Sequence, residues 1–303
     1  MTPSAPRFAP PPRLLRAQRG AAGDWLDGLP ELVTDLLLRW RLTAERVVAP
    51  GGRTSMIVLV RTTEGAPAAL KLCAPGSSAA SEHAALERWG GLGAVRSLRC
   101  DPQAGALLLE RLHGEVALRS LPEAKATLEA LSVIRRLWVE PGTDHPFPTV
   151  AERTGAQAES MRAAAPPAVR QLVDEALRLR AALCGSAAPA ERFLLHGDFR
   201  QGAVLAADTD RARWLAVGPE PLVGERAYDL SRLVRDRLHD LVASAGAAAQ
   251  TRRRVTKLAG AVELDSDRVR DWALFRAVES GVRHLAAGDR EDGEALLEFA
   301  TWL

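Results

Sequence analysis

The chain has 303 residues, 47% hydrophobic and 26% charged, an ordinary globular composition long enough for two domains or one with two lobes. Forty basic against thirty-eight acidic side chains leave a formal charge of +2, which argues against a nucleic-acid or membrane-surface binder, since those carry a basic stripe or tail. Cys73, Cys100 and Cys184 are widely spaced, with no Cys-x-x-Cys and no histidine at metal-ligand intervals, so they read as reduced thiols. The first twenty residues hold Pro and Arg but no apolar stretch, and no apolar run reaches membrane-span length. A cytoplasmic protein without membrane or nucleic-acid partners is expected.

In chain order, residues 1–22 form a Pro-rich arm expected to be loose. Residues 24–40 place Trp25, Leu26, Leu29, Leu32, Val33, Leu36, Leu37 and Trp40 at helical spacing. A Pro50-Gly51-Gly52 turn then leads into a predicted hairpin, 56–61 and 68–73, followed by a helix over 81–89 and strands over 95–100 and 106–112. Beyond Leu112 the pattern is mainly helical, over 121–138, 149–163, 166–184, 225–243, 247–261, 267–287 and 290–302. One β-rich island, 193–217, interrupts it. The fold class predicted is α+β, with a front lobe of antiparallel sheet carrying one helix (1–112) and a helical back lobe (113–303).

Two gaps in composition sharpen the reading. Lysine occurs only at Lys71, Lys125 and Lys257, the remaining thirty-seven basic residues being arginine, and asparagine is absent altogether. A lysine kept on a strand against so strong an arginine bias is a candidate for a specific anion contact. Lys71 follows the Gly51-Gly52 turn, and a predicted helix presents Glu82 eleven residues later. That is the layout of a strand lysine that grips phosphates while a helix carboxylate holds it.

The segment Leu195-His196-Gly197-Asp198-Phe199-Arg200-Gln201-Gly202-Ala203-Val204-Leu205 resembles the catalytic loop of the aminoglycoside phosphotransferases. The run from Trp214 to Leu230, containing Gly218-Pro219-Glu220-Pro221 and Tyr228-Asp229-Leu230, resembles the metal-site strand and following helix of the streptomycin 6-kinase and hydroxyurea kinase branch. The likeness extends from about residue 25 onward. It implies a bilobal protein-kinase-like fold with an N-terminal nucleotide-binding lobe and a C-terminal lobe holding the catalytic-loop remnant and a substrate pocket. It also implies a task for each matching residue. Asp198 would orient or accept the proton of a substrate hydroxyl, and His196 would brace the loop. Lys71 and Glu82, with Gly51 and Gly52, would hold the triphosphate of ATP, and the backbone at Glu110, Arg111 and Leu112 would face the adenine.

Two positions depart from the family pattern. Ala203 stands where the resemblance implies a metal-binding asparagine, and Gly218 where it implies a metal-binding aspartate. Neither offers the oxygen that Mg²⁺ requires, so Mg²⁺ is expected to be absent or weakly held. Glu220, two residues past Gly218, is a possible substitute ligand. Arg200 either sets a positive charge near phosphate or pairs with an acid. The expectation is a pseudokinase that binds a nucleotide, a small molecule or a partner protein of a biosynthetic pathway, secondary metabolism included, without efficient transfer. The alternative is an active ATP-dependent small-molecule O-phosphotransferase, for resistance or secondary metabolism, with its metal relocated to Glu220.

Overall fold

A computed structural model of the chain describes residues 8–185 and 191–303. Its contacts divide into two units, Met1–His113 with Ala207–Arg213, and Gly114–Ala206 with Trp214–Leu303.

In the first unit, helices α1 (Pro12–Gln18) and α2 (Gly23–Trp40) precede strands β1 (Thr43–Val47), β2 (Ser55–Arg61) and β3 (Pro67–Cys73); helix α3 (Ala79–Trp89) leads to β4 (Ser97–Asp101) and β5 (Ala106–Glu110). The strands form one sheet in the order β1-β2-β3-β5-β4, every pairing antiparallel. Alternation explains the core: Met56, Val58 and Val60 of β2 and Ala68, Leu70 and Leu72 of β3 are fully buried. They pack with Leu26, Leu29, Val33, Leu36 and Trp40 of α2. Each fully buried Leu or Val contributes roughly 1.5–3 kcal/mol. Lys71, between Leu70 and Leu72, projects from the other face of the sheet.

The arm expected to be loose is helical over Pro12–Gln18. Proline suits a first helical turn, where its missing N–H has no partner to lose, and burial of Leu14 anchors the turn. Residues 1–7 of that arm lie outside the described residues. α3 starts where the Ser78 hydroxyl accepts the Ser81 N–H at 3.0 Å and stops at Gly90, in the left-handed region at φ 56°.

The second unit opens on β6 (His113–Ala117), whose His113 counts with the first unit. Helices α4 (Glu123–Leu137), α5 (Val150–Ala164) and α6 (Arg170–Leu183) precede strands β7 (Phe193–Leu195), β8 (Val204–Ala206), β9 (Trp214–Ala216) and β10 (Leu222–Gly224). Helices α7 (Arg226–Val234), α8 (Leu238–Val242), α9 (Ala247–Ala261), α10 (Ser266–Ala286) and α11 (Arg290–Ala300) complete it. Two small sheets, β6-β8-β9 and β7-β10, carry the loops between them. β6 and β10 are strands that periodicity did not predict: four of the five β6 residues are exposed, so it shows no alternation, and β10 has only three residues.

The helix expected over 225–243 is broken into α7 and α8, with Arg237 in the left-handed region at φ 58°. The break frees the Asp236 carboxylate to accept the Gln201 N–H at 2.7 Å and Arg237 Nε to reach Gln201 Oε1 at 3.1 Å. α10 runs through the core, where Trp272 stands edge-on to Tyr228 (5.1 Å) and Phe275 (5.9 Å). It approaches α11 at two glycines: a Cβ on Gly281 would lie 2.7 Å from Leu297 Cγ, and one on Gly293 would lie 2.7 Å from Leu285 Cδ2.

Candidate functional site

In the first unit, Lys71 on β3 and Glu82 on α3 form a buried ion pair, Nζ to Oε2 at 2.5 Å. β3 lies between β2 and β5, and Ile57 and Leu107 are the cross-strand neighbours of Lys71. The Cys73 thiol lies 3.9 Å from the same Glu82 oxygen, and burial pushes it up to about 11. Gly51 takes φ +77°, and a Cβ there would meet Pro11 Cγ at 2.6 Å. The Gly51-Gly52 turn thus packs against the N-terminal arm.

Glu110 and Arg111 are tied into the first unit. Glu110 Oε1 accepts the Arg96 N–H at 2.8 Å and Arg211 Nη2 at 2.5 Å. Arg111 reaches Glu45 Oε2 at 2.6 Å and the Val60 carbonyl at 2.7 Å, lacing β1 and β2 to the end of β5. Leu112, half-buried, links β5 to β6.

In the second unit the loop after β7 is shaped by backbone bonds to two buried side chains. Asp229 of α7 accepts the N–H of His196 at 2.9 Å and of Gly197 at 2.8 Å. Burial pushes its carboxyl up, and these bonds offset only part of that rise. Arg276 of α10 donates to the Gly197 carbonyl at 2.7 Å and to that of Tyr228 at 2.9 Å. Gly197 sits at φ +81°, and a Cβ there would fall 1.9 Å from the Glu220 carbonyl oxygen, so only glycine fits this crossing. The His196 ring is fully buried, edge-on to Phe199 at 5.6 Å.

Asp198, half-buried in this loop, is held by two guanidiniums. Arg200 Nε lies 3.1 Å from its Oδ2 and Arg232 Nε lies 3.0 Å from its Oδ1. Burial alone would raise this carboxyl, but Arg232, Arg200 and Arg276 outweigh it and hold the group well below the usual carboxylate range. Asp236 is also within 4.0 Å of Arg232, and burial raises its carboxyl above the usual value. Asp229, Arg232, Asp236 and Arg276 were assigned no task from sequence. Tyr228-Asp229-Leu230 was visible as part of the resemblance, but the arginines carried no local signal in so arginine-rich a chain.

The donor set does not fit the Mg²⁺ of the fold family. Ala203 and Gly218 offer no side-chain oxygen, both Asp198 oxygens face arginine, and Glu220 Oε2 pairs with Arg153 at 3.0 Å. Among the described residues no group of three or more His, Cys, Asp or Glu side chains could hold a metal ion. No helix among them is long and apolar enough to cross a membrane.

The family model for aminoglycoside/hydroxyurea antibiotic resistance kinases matches residues 39–288. The chain is 34% identical over 280 residues to a streptomycin 6-kinase of Streptomyces glaucescens, covering 91% of this chain and 88% of that one. It is 37% identical over 286 residues to a hydroxyurea phosphotransferase of Kitasatospora aureofaciens, covering 92% and 78%. Among solved structures, a thermostable mutant of aminoglycoside phosphotransferase APH(4)-Ia in ternary complex with AMP-PNP and hygromycin B superposes with a TM-score of 0.62 at 16% identity, covering 88% of this chain and 96% of that one. At that identity the likeness shows the bilobal protein-kinase-like fold alone. The chain belongs to the aminoglycoside/hydroxyurea antibiotic resistance kinase family.

Proposed function

We propose that this family member binds ATP and a small hydroxyl-bearing molecule, with phosphoryl transfer to that hydroxyl as its class of reaction and with slow turnover. The observation that carries the reading is the buried Lys71–Glu82 pair at 2.5 Å, which keeps an ammonium on β3 as the family's phosphate grip requires. The identity to a streptomycin 6-kinase and a hydroxyurea phosphotransferase over about nine tenths of the chain supports transfer over binding alone. In transfer, the acceptor oxygen bonds to the γ-phosphorus as the bond to the β-bridging oxygen breaks, and the hydroxyl proton leaves. Asp198, kept ionised at neutral pH by its arginines, has the charge to attract that proton, and each of its oxygens, bonded to one guanidinium N–H, keeps a lone pair to accept it. Turnover is slow on this reading because the family's two metal oxygens are missing and metal charge is a large catalytic term.

The second reading is a pseudokinase that binds without turnover, and one observation favours it: Ala203 and Gly218 supply no ligand while both Asp198 oxygens are engaged. In the relocated-metal form of the first reading, Arg153 on Glu220 Oε2 would compete with the metal for that carboxylate. Incubation with Mg²⁺-ATP and a panel of aminoglycosides and hydroxyurea, followed by phosphorus NMR and mass spectrometry, separates the readings. A phosphorylated acceptor that disappears in Asp198→Ala supports transfer. Calorimetric ATP binding with no product supports the second reading, and absence of ATP binding overturns the first.

A further inference from the structure

The misfit between the family's metal and this donor set has a specific counterpart in the second unit. We propose that Arg200 and Arg232 take over the charge role of the divalent cation, so that a phosphoanion binds here without metal; for ATP as the anion, this rests on the function proposed above. The two guanidiniums bring as many positive charges as Mg²⁺ would, one of them offset by Asp198, which they share. Arginine has five N–H donors, and Asp198 takes one Nε–H from each, at 3.1 Å and 3.0 Å. Arg232 Nη1 also faces Asp236 Oδ1 at 4.0 Å, so the donors left for an anion are Arg232 Nη2 and the Nη groups of Arg200, whose side chain is 41% exposed.

The surroundings keep this charge in place. Arg232 lies on α7 one turn after Asp229, whose carboxylate fixes the loop backbone at His196 and Gly197. Arg276 adds a third guanidinium to the field at Asp198. A Cβ on Gly202 would lie 2.9 Å from Arg200 Nη1, so glycine there leaves room for the guanidinium beside the loop. Partly desolvated guanidinium–phosphate bonds are strong and frequently bidentate. A site that relies on fixed cations has a distinctive sign: Mg²⁺ neutralises part of the polyphosphate, so it weakens binding where a metal-dependent kinase would gain.

The test is calorimetric titration of the intact chain with ATP and, separately, with inorganic tripolyphosphate, each in EDTA and in Mg²⁺. It compares wild type, Arg200→Gln/Arg232→Gln and Asp198→Asn. Wild type is expected to bind both probes at least as tightly in EDTA as in Mg²⁺, and the double variant to lose about tenfold or more. Asp198→Asn removes the competing carboxylate charge and is expected to tighten both, a gain that a merely misfolded variant cannot produce. ATP binding that requires Mg²⁺, a double variant that binds like wild type, or an Asp198→Asn variant that binds no better overturns the assignment and leaves nucleotide binding standing. Arginine-dependent binding of tripolyphosphate without binding of ATP sustains the anion site and overturns the nucleotide reading. Binding of neither probe overturns both.

Discussion

The Val217 N–H donates to the Ala203 carbonyl at 2.8 Å, so Ala203 and Gly218, the two positions to which the family resemblance assigns metal ligands, stand on adjoining backbone segments. A Cβ on Gly218 meets nothing within 4 Å, although φ there is +65°, a conformation that aspartate tolerates better than most residues. Ala203 is buried, and a larger side chain there costs about 1–3 kcal/mol through overpacking. Ala203→Asn with Gly218→Asp is therefore expected to melt lower and yet to bind ATP about tenfold more tightly with Mg²⁺ than without it. Each single change should recover much less than half of that free energy, because the ligands act as a unit. Calorimetry with and without Mg²⁺ checks this, and a double variant indifferent to Mg²⁺ would show that the site needs more than the two oxygens.

Lys71→Ala should cost stability as well as ATP affinity. It strands the buried Glu82 carboxylate, and removing one partner of a buried pair costs about 3–5 kcal/mol. Lys71→Met with Glu82→Leu replaces the pair by apolar groups of similar length and should cost clearly less. Urea unfolding followed by tryptophan fluorescence compares them, Trp89 of α3 being buried in the same unit. Equal losses in the two variants would mean that the pair's charge is not what the substitution exposes.

Asp198 and Asp229 titrate with opposite consequences. The folded Asp198 carboxyl lies below its unfolded value, near 3.9, so its contribution is complete above that pH and is lost as pH falls toward the folded value. Asp229 is raised by burial, so lowering the pH from the folded value toward the unfolded one relieves its cost. The stability difference between wild type and Asp198→Asn should hold constant from about pH 8 to pH 5 and shrink below about pH 4. For Asp229→Asn the pH-dependent part of the difference should change with the opposite sign. Urea midpoints across this range decide the matter.

The close approach of α10 and α11 predicts that Gly281→Ala destabilises by about 1–3 kcal/mol through contact with Leu297. Gly281→Ala with Leu297→Ala should not recover the full loss, since it leaves space that the leucine filled. Gly197→Ala is expected to be worse, because its Cβ meets backbone that cannot rotate away. Thermal midpoints rank the three.

Much of the architecture was legible before any coordinate. The hairpin periodicity gave β2 and β3, and the helical spacing of Leu29, Val33 and Leu36 gave α2, because both patterns are local and follow from which face is buried. Lys71 and Glu82 were paired from a spacing that one strand and one helix can satisfy. The likeness of the loop to the family's catalytic loop was readable because His196-Gly197-Asp198 is contiguous, and that Ala203 and Gly218 carry no side-chain oxygen needed only the amino-acid types.

What the loop does with its charges was decided by tertiary structure. Arg232 and Asp236 lie thirty-four and thirty-five residues from their loop partners Asp198 and Gln201, and Arg276 lies seventy-nine from Gly197. The break at Arg237, which turns Asp236 onto Gln201, follows the same logic, since a loop N–H far away in sequence sets the end of the helix. Hydrophobic periodicity is a property of neighbours along the chain, whereas a guanidinium finds its carboxylate only after the helices have packed. One arginine among thirty-seven carries no mark of which carboxylate that will be.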